Sequence, residues 1–182
     1  MTDPTQPWQT LTQEVLFAAP PWLTLLREEV QLPSGKIISD FYRLVLPEFA
    51  MVLAQLSDGR YLLVRGYKHG LGRVTLAPPG GMIEPGETPL AAAQRELLEE
   101  TGHVAEDWLG LGRFVVDANR QCGTMHLFVA RAARPATSVT ADESEPLRIE
   151  RLTRDELLAA LRQGETGNLA AAAAISLGLL LG

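Results

Sequence analysis

A chain of 182 residues with 46% hydrophobic side chains can bury one core, so one compact domain with a small appended element is expected. Its formal net charge of −6 argues against a nucleic-acid backbone as partner, although a bound cation could still bring in a small anion. Cys122 is the only cysteine, which excludes an intramolecular disulfide.

The opening MTDPTQPWQT has neither the basic nor the apolar region of a secretory leader, and a cytoplasmic location is expected. Residues 1–13 read as a loosely ordered lead-in. From Trp22 to Leu46 the chain reads as a strand hairpin, LTLLREEVQL and KIISDFYRLVL, turned by Pro33-Ser34-Gly35. EFAMVLAQLS and RYLLVRGY flank Asp58-Gly59, which predicts a two-residue hairpin in which both residues tolerate positive φ. VTLA (74–77) is a short buried strand that leads into Gly80-Gly81.

Thr88-Pro89 is a helix start and Gly102 a helix stop, giving a helix over 89–101. At about 100° per residue, Leu90, Ala91, Leu97, Leu98 and Thr101 fall on one side of it. Glu96 and Glu100, with Ala92 beside them, fall on the other, and Glu99 lies at the edge. WLGLGRFVVDA and TMHLFVARAA then read as two strands joined by Asn119 to Gly123. An acidic loop, SVTADESEP, precedes the short strand LRIERL. Thr153 and Glu156 have capping-box spacing and open the helix DELLAALRQ. The apolar run Leu169–Leu181 is shorter than the roughly 20 residues a bilayer helix needs and reads as a buried helix, with no membrane partner.

The glutamates of 89–101 carry the chemistry. Glu96 and Glu100 are like charges one turn apart, which costs a few tenths of a kcal/mol without a counter-ion. No lysine lies nearby on that face of the helix, and Arg95 is placed to pair one acid, Glu99. Clustered carboxylate oxygens suit magnesium or manganese. Gly80-Gly81 can adopt backbone conformations barred to other residues, so that a carbonyl turns inward as a further ligand, and Gly86 permits a second bend before Glu87. His69, His103, His126 and Cys122 lack zinc-site spacing, and His103 and His126 read as structural.

Gly81, Glu87 and the run Arg95-Glu96-Leu97-Leu98-Glu99-Glu100-Thr101-Gly102 resemble the signature of the Nudix hydrolases, which cleave nucleoside diphosphates linked to another moiety. The resemblance implies a Nudix-like α/β/α sandwich, of α/β (α+β) class, with a mixed sheet. Its domain would span 47–182, preceded by an antiparallel strand extension over 1–46. It implies that Glu96, Glu99 and Glu100 bind two or three Mg2+ ions, Mn2+ being possible, with a carbonyl of Gly80 or Gly81. Glu100 is then the indispensable acid, Arg95 orients the acids, and Glu87 braces the loop. His103 departs from the aliphatic residue usual at the end of the signature.

LPSG, the tract LLVRGYKHG and ADESEPLRIERL look like the ADP-ribose pyrophosphatase branch. In that branch the N-terminal strands resemble a dimerising extension, which makes a homodimer the expected state. The small-molecule partner would be ADP-ribose or a related nucleoside diphosphate sugar. Glu143 or Glu145 would be the catalytic base or a late ligand. Arg43, Arg65 and Lys68 are the candidate phosphate contacts, and Phe41, Tyr42 or Trp22 could stack on a base. A proline that several enzymes of the branch carry past the signature is missing, since Asp117-Ala118-Asn119 stand there, which leaves ADP-ribose open against another nucleotide sugar. Alternatives are another nucleotide substrate, a non-catalytic nucleotide sensor, or an interaction module. Sensors usually lose signature acids, whereas every acid is present here.

Overall fold

Residues 3, 5–136 and 147–182 are described in the computed structural model, and they form two units. One contains Met1–Pro47 and Val115–Thr124, the other Glu48–Phe114 and Met125–Gly182. Glu143 and Glu145 lie outside the described residues.

In the first unit β2 (Leu23–Gln31) is the middle strand, paired antiparallel with β1 (Gln9–Ala19) and β3 (Ile37–Val45). β1 corrects the expected loose lead-in over 1–13. Its side chains are almost all exposed and its register slips at Thr10/Thr12 and Val15/Phe17, so no two-residue period shows. Backbone pairing with β2, which local composition does not report, holds it in place. β2 buries Leu26, Glu28 and Val30 on one face. The Glu28 carboxylate, nearly closed from water, is met by Arg43 Nη2 at 3.0 Å. Arg43 Nη1 also donates to Gln121 Oε1 at 2.7 Å, which fixes a residue with φ of 58°.

The second unit is built around β4 (Glu48–Leu56). Its sheet runs β11 (Arg148–Leu152), β5 (Tyr61–Lys68), β4, β10 (Cys122–Pro135), β8 (His103–Val104). β6 (Arg73–Ala77) adds to β5, β7 (Gly80–Met82) to β4, and β9 (Asp107–Asp117) to β10. Successive strand residues face opposite sides of a sheet, and β4 uses both. Ala50, Val52 and Ala54 pack against α1 (Pro89–Thr101), whereas Met51 and Leu53 pack against α2 (Arg154–Arg162) and α3 (Leu169–Leu181). This is the expected α/β/α sandwich. Among the described residues, no helix is long and apolar enough to cross a membrane.

Thr88 Oγ1 accepts from the Ala91 N–H at 3.2 Å, Pro89 occupies the first turn, and Gly102 closes α1 at φ 69°. The buried stripe of α1 is Ala92, Ala93, Leu97 and Thr101. This corrects the expected apolar side, because Leu90 is 38% exposed and Ala92 is fully buried. Small residues on β4 admit small residues of the helix at close range, so size complementarity sets the helix rotation. Fully burying Leu97 contributes about 2 kcal/mol. The Asp58-Gly59 turn also differs from expectation: only Gly59 takes positive φ, and the chain closes with Leu56 N–H donating to the Arg60 carbonyl at 2.8 Å.

Thr75 on β6 is 1% exposed and its hydroxyl has no hydrogen-bond partner among the described residues. Thr75→Val keeps the branched shape and removes the unmet polar group. Stability should rise by about 1 kcal/mol, read from chemical denaturation.

Candidate functional site

β7 is hydrogen-bonded edge-on to β4, with Gly80 opposite Met51, Gly81 opposite Ala50 and Met82 opposite Phe49. Val52 N–H donates to the Pro79 carbonyl and Ile83 N–H to the Glu48 carbonyl, each at 2.9 Å. Gly80 and Gly81 therefore sit in a short strand, and neither has positive φ. Their requirement is space, which corrects the expectation of an unusual backbone. A methyl carbon on Gly80 would run into the Ala50 carbonyl and sit 3.0 Å from Met51 Cα. One on Gly81 would sit 2.6 Å from the Glu96 carboxyl carbon. Gly86 does take the expected bend, at φ 84°.

The carboxylates of α1 come down on these two glycines. Glu100 Oε2 accepts the Gly80 N–H at 2.9 Å, and the Glu96 carboxylate fills the space a Gly81 side chain would need. Arg95 lies beneath them. Its Nη1 donates to Glu96 at 2.7 Å and Glu99 at 3.0 Å. Its Nε and Nη2 grip Glu87, each at 3.1 Å, and Nη2 also donates to the Met82 carbonyl at 2.9 Å. Arg95 therefore ties three acids and the glycine strand to one guanidinium, where helix spacing alone had it pairing Glu99 and the resemblance had it orienting the acids. Glu87 Oε2 further accepts the Glu84 N–H, so this acid braces the bend.

The electrostatics separate the acids. The Arg95 guanidinium holds the Glu87 carboxyl below the usual range. Burial pushes Glu96 up, and Arg95 offsets only part of that rise. With a side chain only 12% exposed, Glu96 is a carboxylate whose charge the protein itself stabilises incompletely. Among the described residues no three acidic, histidine or cysteine side chains are already gathered into a metal cage. The donor set nonetheless fits a hard divalent cation: Glu96 and Glu100 present carboxylate oxygens beside a backbone with no side chains in the way, and Glu99 shares the Arg95 guanidinium with Glu96. Such an ion competes with the proton on Glu96. Metal affinity should be full above the raised Glu96 value and fall as pH drops through it, measured by titration calorimetry with Mg2+ or Mn2+.

The three candidate phosphate contacts are differently placed. Lys68 lines a cavity of about 270 Å³ together with Gly80 and Glu100. Arg65 is spanned by Glu150 and Glu165, each at 2.6 Å, which ties β5 to β11 and to the turn after α2. Arg43 lies in the first unit, bridged to Glu28 and Gln121. Of the aromatic candidates, Phe41 meets Trp8 edge to face, while Tyr42 and Trp22 are exposed. His103 is buried with Nδ1 2.6 Å from the Thr101 carbonyl. His126 Nε2 lies 2.5 Å from Glu48, which Arg113 also holds. Sequence reading missed the rest of the cavity wall, Phe49, Met51, Val64, Ala77, Pro78, Asn168 and Ala170. Only Asn168 left a signal, as a capping residue before an apolar run.

Residues 46–172 match the family model described as NUDIX domain, and residues 8–44 match one described as nucleoside diphosphate sugar hydrolase N-terminal domain. The chain is 31% identical over 122 residues to the ADP-ribose pyrophosphatase of Bacillus subtilis, a match covering 67% of this chain and 65% of that one. It is 34% identical over 98 residues to the ADP compounds hydrolase NudE of Escherichia coli, covering 54% and 52%. Each match thus spans less than two thirds of the relative. A crystal structure of ADP compounds hydrolase superimposes with a TM-score of 0.80 at 25% identity, over 94% of this chain and 92% of that one.

Proposed function

Because the chain belongs to the Nudix family, we propose that it hydrolyses the diphosphate linkage of ADP-ribose or a related nucleoside diphosphate sugar. Water adds across one P–O bond of the linkage, giving a nucleoside monophosphate and a sugar phosphate. The observation that carries this reading is the docking of Glu96 and Glu100 on Gly81 and Gly80, with Arg95 gripping Glu96 and Glu99 from below. The match to a nucleoside diphosphate sugar hydrolase N-terminal domain and the similarity to an ADP-ribose pyrophosphatase support the substrate class.

In this reading Glu96, Glu99 and Glu100, with a carbonyl of Gly80 or Gly81, hold two or three Mg2+ or Mn2+ ions. When bound, such ions neutralise the diphosphate and acidify water. Arg95 keeps the carboxylates aimed at the glycine strand, and Glu87 keeps Arg95 in place. Lys68 meets a substrate phosphate from the wall it shares with Glu100. Arg65, held by Glu150 and Glu165, and Arg43, held by Glu28, are the other proposed phosphate contacts. Glu143 or Glu145, outside the described residues, takes the proton of the attacking water. Exposed Val15, Phe17, Trp22 and Tyr42 give the first unit apolar surface for a second copy of the chain, and a homodimer is part of the proposal. A cytoplasmic location, where nucleotide sugars are turned over, completes it.

The test is a screen of ADP-ribose, GDP-mannose, UDP-glucose, NADH and dinucleoside polyphosphates with Mg2+ and then Mn2+. Released monoesters are read as inorganic phosphate after phosphatase treatment. Turnover of an ADP or other nucleoside diphosphate sugar is expected. Preference for NADH or for dinucleoside polyphosphates would overturn the substrate class, and tight metal and nucleotide binding without turnover would replace catalysis by sensing.

A further inference from the structure

We propose that Glu48, held by Arg113 and His126, is a positioning residue for the signature acids, acting through β7 and Arg95. This rests on the diphosphatase reading above. Three links carry the effect from Glu48 to Glu96 and Glu99.

The first is the cluster itself. Glu48 is the first residue of β4 and shares the face of Ala50, which packs toward α1. One of its carboxylate oxygens accepts from Arg113 Nη2 of β9 at 2.8 Å. The other lies 2.5 Å from His126 Nε2 of β10, and since a carboxylate only accepts, the imidazole donates. The Arg113 guanidinium, and after it His126, hold the Glu48 carboxyl below its usual range. Three strands thus meet at one anionic side chain.

The second link is backbone. β7 is three residues long and rests on β4 between two flanking hydrogen bonds, Val52 N–H to Pro79 and Ile83 N–H to Glu48. Val52 is fully buried, so that end is held in the core. Glu48 stands at the start of its strand with a side chain 43% exposed, and elements near solvent open first. The cluster pins the weaker end of β7.

The third link is Arg95. Met82, next to Ile83, offers its carbonyl to Arg95 Nη2 at 2.9 Å, while Arg95 Nη1 holds Glu96 and Glu99. Every step from Glu48 to these acids is a hydrogen bond or a peptide link. A shift of residues 82 and 83 on β4 therefore moves the guanidinium and the carboxylates it aims. Ion pairs as exposed as Arg113–Glu48 contribute little to global stability, whereas groups that orient metal ligands tune affinity and rate. The effect is expected in the metal requirement more than in melting.

Three substitutions test this without touching the acids. Glu48→Gln keeps the shape and removes the charge that holds both partners. Arg113→Met removes one partner from an exposed position, and Arg113→Lys returns a cation. Each is assayed on a nucleoside diphosphate sugar over a Mg2+ series, beside thermal melting. Glu48→Gln should lower kcat and raise the Mg2+ concentration for half activity, each about tenfold, with KM at saturating Mg2+ within about twofold. Arg113→Met should move both in the same direction by at least about threefold, and Arg113→Lys should recover most of the loss. The two removals delete opposite charges. A long-range field alone would weaken Mg2+ binding in Glu48→Gln and strengthen it in Arg113→Met, and such opposed shifts would overturn the proposal. Lower melting with wild-type kcat and Mg2+ requirement would overturn it too. So would a raised KM with kcat kept, which would make Glu48 a substrate contact. If the wild type cleaves no nucleoside diphosphate sugar, the diphosphatase reading fails by itself. Mn2+ calorimetry and amide hydrogen exchange at Ile83 then decide the positioning role. Weaker Mn2+ binding with faster exchange in Glu48→Gln sustains it, and a wild-type value of either overturns it.

Discussion

Glu100→Gln should lower kcat about a thousand-fold while the protein melts within about 1 kcal/mol of wild type. The first half follows from ligand chemistry: an amide carries no charge, and losing one anionic ligand of a catalytic cation removes several kcal/mol of transition-state stabilisation. The second half follows from the fold. Glu100 Oε2 accepts a hydrogen bond from the Gly80 N–H, and the amide oxygen of glutamine accepts the same bond. Steady-state kinetics with saturating Mg2+, set beside a denaturation curve, separates the two effects. Wild-type turnover by this variant would sink the metal assignment for α1, and unfolding would show that the carboxylate charge itself holds β7 in place.

Substitutions at the two adjacent glycines should fail in opposite ways. Gly80→Ala drives a methyl into the Ala50 carbonyl and against the Met51 backbone, neither of which can rotate aside. β7 must then shift on β4, and a stability loss of about 1–3 kcal/mol is expected. Gly81→Ala meets only the Glu96 carboxylate, the far end of a side chain that can move. Its stability should stay within about 0.5 kcal/mol of wild type. Displacing that carboxylate by about an ångström should nonetheless lower kcat about 100-fold and raise the metal requirement. Denaturation and activity titrated against Mg2+ distinguish the pair. Equal stability losses in both would mean that Gly81 is needed for packing and not for the acid.

The parts of the site that could be read from the sequence are those whose partners lie close along the chain. Thr88, Pro89 and Gly102 bound α1 because caps act within one turn, and the Arg95–Glu99 pair follows from helix periodicity. The family signature added Glu87 and the glycines, and the sandwich followed from it. What escaped was set by distant neighbours. The rotation of α1 depends on the small residues of β4, which α1's own pattern cannot report. β1 forms by pairing its backbone with β2 while both its faces stay exposed, leaving no alternation to detect. Gly80 and Gly81 were noticed for the right reason of placement but the wrong physical cause. Their neighbours, Ala50 and Glu96, are far away in sequence, and a requirement for empty space looks the same on paper as one for positive φ. The cavity draws on Phe49, Lys68, Glu100 and Asn168, four segments that only the folded sheet brings together.

The two-sided packing of β4 bears on how such an enzyme could change its substrate. Ala50 pairs with the glycine that accommodates Glu96, while Phe49 and Met51, its immediate neighbours, line the cavity on the other face. One strand thus borders the Glu96 glycine at Ala50 and the cavity at Phe49 and Met51, with Met51 also standing opposite Gly80. A change in the size of residue 49 reshapes the cavity alone, whereas residue 51 also bears on Gly80 and, through the Gly80 N–H, on Glu100. Position 49 is therefore the place on β4 where side-chain size can vary in the cavity without facing a signature glycine or acid across the strand pair.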